Sequence, residues 1–200
     1  MMKKLAVVFA GLVMLSFPFF QTDKNYAYAE TLDHVDIYTV QKGDSLFDIG
    51  MEHGVSEIDL MKINHKNSGK VQPGEKIILP KSITKEEKDL LARLVHAEAK
   101  GEPYKGKVAV GLVVLNRVKD KRFPDNIKDV IYEERQFQPV DNGAINEPAD
   151  NDSKKAVMEA LVLEGKGNDS VYFFNPDKTS STWLRAQTVT EEIGNHRFAK

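Results

Sequence analysis

Hydrophobic residues recur at helical spacing within positions 85–100, which predicts a helix over that range. Its apolar positions are Leu91, Leu94 and Val95, and the next position of the same stripe is Glu98. The pattern therefore places an ionisable carboxyl group on the apolar side of a helix.

A second helix is predicted over residues 103–119, and it is apolar enough to be largely buried. Glu98 would lie beside it, where loss of solvent disfavours the charged carboxylate and raises the pKa. A carboxyl that stays protonated near neutral pH is what a general acid requires, and cleavage of a glycosidic bond needs such an acid. Spacing alone leaves an alternative open, in which Glu98 turns towards solvent or pairs with Arg93, Arg117 or Lys100.

Three further features are predicted in the second half of the chain. Helical patterns over residues 125–134 and 152–165 flank a connector, 135–152, which is too long and polar to be core. Loops of this length are often functional. An aromatic stretch follows over residues 170–184, and aromatic faces can stack on sugar rings. The alternative is that these rings are core, and at least one of Phe173 and Phe174 is expected there.

The N-terminal half contains a smaller unit. Strand-like alternation over residues 37–41 is followed by two short helical patterns, the first capped by Asp44 or Ser45 and the second by Ser56. A closing strand is predicted over residues 77–80. The predicted order is strand, helix, helix, strand.

Composition narrows the function classes. The chain has 200 residues, a formal net charge of -2 and no cysteine. This charge gives no indication of a surface that binds nucleic acid or an anionic membrane. The absence of cysteine excludes disulfides, thiol nucleophiles and Cys-ligated zinc. Residues 1–29 have the layout of a secretory signal peptide: a basic start, an apolar run and small residues at Ala27 and Ala29. An uncleaved membrane anchor is the alternative.

Residues 38–80 resemble a LysM module, in the blocks "YTVQKGDSLFDIG", "VSEIDLMKIN" and "VQPGEKIILP". The resemblance implies a βααβ domain, here bounded at 36–81, that binds glycans containing N-acetylglucosamine. Leu46 and Val71 could receive the acetamido methyl groups; the alternative is that Gly43 and Asp44 only form the turn and that Leu46 is core. The implied glycan-binding residues are Gly43, Asp44, Ser45, Leu46, Val71, Gln72 and Pro73.

Residues 98–200 resemble the catalytic domain of the SleB-type spore cortex-lytic enzymes, also called cell wall hydrolases, and the domain is here bounded at 82–200. The matching blocks include "AEAKGEPYKGKVAVGLVVLNRVK", "QFQPV", "VYFFNPDKTSSTW" and "IGNHRFAK". The resemblance implies a lysozyme-like, mostly helical domain, so the whole chain is expected to be mainly α with small β parts (α+β). It also implies that Glu98 is the catalytic acid of a lytic transglycosylase that cleaves between N-acetylmuramic acid and N-acetylglucosamine. The candidate substrate-binding residues are Glu102, Gln136, Phe137, Gln138, Tyr172, Asn175 and Trp183. Glu102 could instead be a cap.

These inferences predict a secreted protein of the cell wall or spore envelope, with peptidoglycan as its partner and with no cofactor, metal or nucleic acid. They predict no membrane association after signal cleavage, leave room for an unidentified regulatory protein, and point to spore cortex lysis during germination. The chain departs from the family in having His96-Ala97 before the motif and "LRAQTVTEE" near the end. The LysM module also differs from the binding domain common in germination enzymes.

Three alternatives to the transglycosylase remain open. Hydrolysis to reducing ends would use Asp141 or Glu133 as a second carboxylate. A metal-dependent N-acetylmuramoyl-L-alanine amidase would use His96 and Glu98 as ligands, although residues two apart diverge on a helix. A non-catalytic wall-binding protein would rely on the LysM module alone.

Overall fold

The computed structural model describes residues 36–200, so the predicted signal peptide lies outside the described part of the chain. Residues 36–200 belong to one compact unit. Within that range, no helix has both the length and the apolar character that a membrane span requires.

The N-terminal region has the predicted order of strand, helix, helix and strand. Its elements are β1 (Ile37–Thr39), α1 (Leu46–His53), α2 (Glu57–Ile63) and β2 (Lys76–Ile78), and the two strands pair antiparallel. Ser45 caps α1 through a capping box with Asp48, and Gly54 ends the helix with a left-handed φ of 66°. The core of this region consists of Val40, Leu46, Ile49, Val55, Leu60 and Ile77.

The rest of the chain is mainly helical. Thr84 caps the long helix that ends at Glu98, as its capping box with Glu87 predicts. The helices are α3 (Lys85–Glu98), α4 (Tyr104–Lys119), α5 (Ile127–Tyr132), α6 (Gln138–Asp141), α7 (Asn151–Leu163) and α8 (Thr182–Arg185), with a 3₁₀ turn at Ala144–Asn146.

A three-stranded antiparallel sheet follows α7, and the sequence pattern did not predict it. Its strands are β3 (Tyr172–Phe174), β4 (Val189–Ile193) and β5 (His196–Ala199), in the order β3-β5-β4. The strands have only three to five residues, too few for their alternation to stand out. A tight turn at Gly194 (φ 56°) joins β4 to β5.

The core of the helical region lies between α3, α4 and α7. Gly111 of α4 faces Ala160 of α7 so closely that a Cβ added there would lie 3.0 Å from the Ala160 Cβ. The prediction that the connector over residues 135–152 stays out of the core is wrong. Phe137, Ile145 and Ala149 are buried and anchor it to the core, although its other residues are mostly polar.

The N-terminal region is packed against α7 and the turn that follows it. The Ser56 hydroxyl donates to the Glu164 carbonyl at 3.1 Å, and Lys166 pairs with Glu57 at 2.6 Å. A Cβ at Gly50 of α1 would lie 3.0 Å from a methyl group of Val162. The structure therefore fixes the N-terminal region on the helical region through apolar, hydrogen-bonded and charged contacts.

Candidate active site

Glu98 is the last residue of α3 and continues the apolar side of that helix. Leu91, Leu94 and Val95 are fully buried, as the stripe predicts, and the Glu98 side chain is largely shielded from solvent. Burial raises the pKa of Glu98 from an ordinary value of 4.5 to about 7. A substantial fraction of Glu98 is therefore protonated at neutral pH.

The cations that sequence spacing offered as partners for Glu98 are engaged elsewhere or exposed. Arg93 pairs with Asp89 at 3.0 Å and donates to the Ile145 carbonyl at 2.9 Å. Lys100 is exposed at the helix end. No side chain in residues 36–200 forms an ion pair with Glu98. Its raised pKa is therefore not offset by a neighbouring positive charge.

Glu98 lies in a cleft of about 540 Å³ between the end of α3, the start of the connector and the loop after β3. Among the described residues that line this cleft, Glu98 is the only carboxylate; Asp141 and Glu133 lie outside it. The predicted residues that the structure brings to the cleft are Gln136, Phe137, Gln138 and Asn175. The cleft thus combines one protonatable acid with amide side chains that can bind sugar hydroxyl and acetamido groups.

Arg117 of α4 forms part of the cleft wall and was predicted only as a possible partner of Glu98. Its Nε donates to the Val171 carbonyl at 2.7 Å, and its Nη1 donates to Gln136 Oε1 at 3.0 Å. The guanidinium lies over the rings of Phe123 and Phe137, at 4.9 and 5.2 Å from their centroids. Arg117 thereby holds Gln136 in place, although its position within an apolar helix gave no such signal.

Two predicted sugar-binding residues, Tyr172 and Trp183, line a neighbouring cavity of about 370 Å³ rather than the Glu98 cleft itself. Their rings meet edge to face at 5.1 Å, and Trp183 is 56% exposed. The two cavities share lining residues, among them Arg117 and Gln136. They are therefore adjacent parts of one surface groove.

Glu102, predicted as a sugar contact or a cap, is not among the residues that line the cleft. Its two carboxylate oxygens accept hydrogen bonds from the backbone N–H and the side-chain amide of Asn195, both at 2.9 Å. These hydrogen bonds lower the pKa of Glu102 against the opposing effect of its partial burial. Glu102 therefore fixes the β4–β5 turn.

His96 does not line the cleft either; its Nδ1 lies 3.2 Å from Asp150. Within residues 36–200, no three histidine, aspartate or glutamate side chains come close enough together to hold a metal ion. His196 does line the cleft, although it was not among the predicted site residues.

The predicted glycan-binding residues of the N-terminal region differ in how accessible they are to solvent. Asp44 accepts hydrogen bonds from the Tyr38 hydroxyl at 2.8 Å and from the Gln41 backbone at 2.7 Å, which builds the turn. The prediction that Leu46 contacts glycan is wrong, because its side chain is fully buried in the core. The residues with at least part of their surface accessible are Gly43, Asp44, Ser45, Val71, Gln72 and Pro73.

Comparison with known proteins identifies both regions. Residues 101–199 match the cell wall hydrolase family, and residues 38–80 match the LysM domain. The first match begins after Glu98. The cell wall hydrolase CwlJ of Bacillus subtilis is 36% identical over 117 residues, which are 55% of this chain and 82% of that protein.

Two further matches are a spore cortex-lytic enzyme and a germination-specific lytic transglycosylase. The spore cortex-lytic enzyme of Oceanobacillus iheyensis is 36% identical over 135 residues, 67% of this chain and 49% of that protein. The solved catalytic domain of the germination-specific lytic transglycosylase SleB from Bacillus anthracis is 36% identical, with a TM-score of 0.56, over 61% of this chain and 100% of that structure.

The chain therefore belongs to the cell wall hydrolase family and carries a LysM domain before the family's domain. The expected α+β class, with a LysM module and a mostly helical domain like that of SleB, is confirmed. The chain spans about half the length of the spore cortex-lytic relative from Oceanobacillus iheyensis.

Proposed function

We propose that this protein is a secreted enzyme that cleaves peptidoglycan strands between N-acetylmuramic acid and N-acetylglucosamine, as a lytic transglycosylase. The observation that carries the proposal is Glu98, a carboxyl group with a pKa raised to about 7 in a cleft that holds no other carboxylate among its described lining residues. Glycosidases that use external water generally need two carboxyl groups, whereas an attack from within the substrate needs one.

In the proposed reaction, protonated Glu98 donates its proton to the glycosidic oxygen as the bond from C1 of the muramic residue breaks. The 6-hydroxyl of the same muramic residue attacks C1, and the Glu98 carboxylate then takes the hydroxyl proton. The products are a new N-acetylglucosamine hydroxyl end and a 1,6-anhydromuramyl end. Every proton is accounted for, and Glu98 returns to its starting state.

The surroundings of Glu98 supply binding groups for a glycan. Gln136, Gln138 and Asn175 offer amide donors and acceptors along the cleft. Tyr172 and exposed Trp183 would stack on a sugar ring in the adjacent cavity. The LysM domain would hold the same polymer through the exposed parts of its two turns, and the predicted signal peptide would deliver the protein to the wall or spore envelope.

Product analysis on two substrates tests the proposal. The purified protein is incubated with vegetative peptidoglycan and with spore cortex, and the released muropeptides are analysed by mass spectrometry. We expect anhydromuramyl ends from the wild type and none from Glu98→Gln. The control is Glu86→Gln, which replaces an exposed carboxylate on the same helix and should give wild-type yields.

Each rival function has its own outcome in this experiment. Reducing muramic ends, one water heavier, would indicate hydrolysis. Release of stem peptides that stops on chelation would indicate a metal-dependent amidase. Binding without release of any fragment would indicate a wall-binding protein. The ratio of yields on cortex and vegetative wall tests the role in germination.

A further inference from the structure

His196, the first residue of β5, is held rigidly on the wall of the Glu98 cleft. Its ring packs against Phe173 at 5.3 Å and against Phe198 at 6.2 Å between centroids. The turn immediately before it is fixed by the two hydrogen bonds from Asn195 to Glu102. The imidazole therefore has a defined position in the cleft before any ligand binds.

The two ring nitrogens of His196 have different surroundings. Nδ1 is buried and has no hydrogen-bond partner among residues 36–200. An imidazolium carries a proton on both nitrogens, and a buried N–H without an acceptor costs about 1–3 kcal/mol. The geometry therefore favours the neutral ring with its proton on Nε2, the nitrogen that is not enclosed in this way, in a residue that lines the cleft.

Burial and the charged groups near His196 also favour the neutral imidazole. Burial lowers the pKa of His196, Lys178 of the cleft lowers it further, and only Glu102 acts in the opposite direction. Arg117, the other cation of the cleft, is engaged with the Val171 carbonyl and Gln136. A neutral ring also suits Glu98, because an added positive charge in the cleft would stabilise its carboxylate and lower its pKa.

We propose that His196 is a substrate-binding residue that acts as a neutral imidazole, donating a hydrogen bond from Nε2 to an oxygen of the sugar held against Glu98. This inference rests on the proposed function, since it assigns the cleft to a glycan. It adds an uncharged donor to the amide side chains already described.

The tautomer is tested first, because it does not depend on activity. Long-range ¹H–¹⁵N spectra of the wild type report the protonation of each histidine ring, and comparison with His196→Gln assigns the resonance. Over a pH titration, we expect the His196 ring to become charged only below the pH at which an unperturbed histidine does, and to carry the proton of its neutral form on Nε2. A ring that becomes charged at or above that pH, or a proton on Nδ1 of the neutral form, would overturn the proposal.

Two substitutions then test the donor. We expect His196→Leu to lower kcat/KM on peptidoglycan roughly 5- to 10-fold, the size expected for one lost neutral hydrogen bond. We expect His196→Gln, whose amide N–H can replace Nε2–H, to retain most of the activity. Wild-type kcat/KM in a folded His196→Leu protein, or equal losses in both variants, would refute the role.

A ligand titration covers the case in which His196→Leu does not fold. Chitotetraose is added to the Glu98→Gln protein, and we expect the His196 ring resonances to shift with the Trp183 indole resonance. An unmoved His196 at a concentration that saturates Trp183 would contradict the proposal. If the wild type cleaves no glycan, the proposed function fails, whereas the tautomer and titration results still report on His196.

Discussion

Replacement of Glu98 by glutamine is predicted to remove activity and, at the same time, to stabilise the fold above neutral pH. The reason is that the folded protein binds the Glu98 proton more tightly than the unfolded chain does. The pKa is 4.5 in the unfolded reference and about 7 in the fold, because burial disfavours the carboxylate. As pH rises through this interval, the unfolded state loses its proton first, so the free energy of unfolding falls.

The size of the effect follows from the same two values. A tenfold difference in proton affinity corresponds to about 1.4 kcal/mol. The interval from 4.5 to about 7 therefore gives an upper limit of about 3 kcal/mol for the destabilisation by Glu98 above neutral pH. Part of this loss is already present at about pH 5, so the change between about pH 5 and pH 8 is about 2 to 3 kcal/mol. Glutamine cannot ionise and is free of this penalty.

Urea unfolding of wild type and Glu98→Gln at both pH values measures this change. We expect the stability difference in favour of Glu98→Gln to grow by about 2 to 3 kcal/mol from pH 5 to pH 8, since other titrating groups cancel between the two proteins. Exposed Glu86→Gln serves as the control and should show no such growth. A difference that stays constant with pH would refute the assignment of a desolvated carboxyl at Glu98.

Three further predictions concern activity, core packing and the domain contact. Activity on peptidoglycan, measured by loss of turbidity, should fall as pH rises through about 7, because Glu98 must be protonated. A loss of activity already near pH 4.5 would contradict this. Gly111→Leu should lower the free energy of urea unfolding by about 1–3 kcal/mol through overpacking against Ala160, and an unchanged midpoint would refute the close contact. Lys166→Met should cost about 1 kcal/mol by leaving buried Glu57 unpaired, and a double-mutant cycle with Glu57→Gln should show coupling between the two residues.

Features that depend on near neighbours in the chain were predictable. The capping box of Thr84 and Glu87 marked the start of α3, because its hydrogen bonds span only three residues, whereas the cap of α1 was narrowed only to Asp44 or Ser45. The stripe through Leu91 and Leu94 predicted the burial of Glu98, because helical periodicity relates positions within one element. The order of elements in the LysM region followed from the same local signals.

Features that depend on distant contacts were not predictable from spacing. Glu102 was predicted as a sugar contact or a cap, but its partner Asn195 lies 93 positions away in the chain and could not be found from spacing. His196 reaches the cleft only because β5 forms the centre of a sheet whose short strands gave no clear pattern. Leu46 was assigned to glycan from the resemblance to LysM modules, although it is the first residue of a helix with its side chain in the core.

The helix α7 links the LysM domain to the helical region that contains the cleft. Ala160 of α7 faces Gly111 of α4, while Val162 faces Gly50 of α1, so one short segment contacts both regions. Interfaces within a chain normally permit relative motion unless they are large and apolar. Here the Glu57–Lys166 pair and the hydrogen bond from Ser56 add to the apolar contacts. On the proposed function, a strand bound by the LysM domain would therefore meet Glu98 at a fixed spacing. Loosening the contact with Lys166→Met should broaden the range of fragment lengths released, without changing the anhydromuramyl chemistry of their ends.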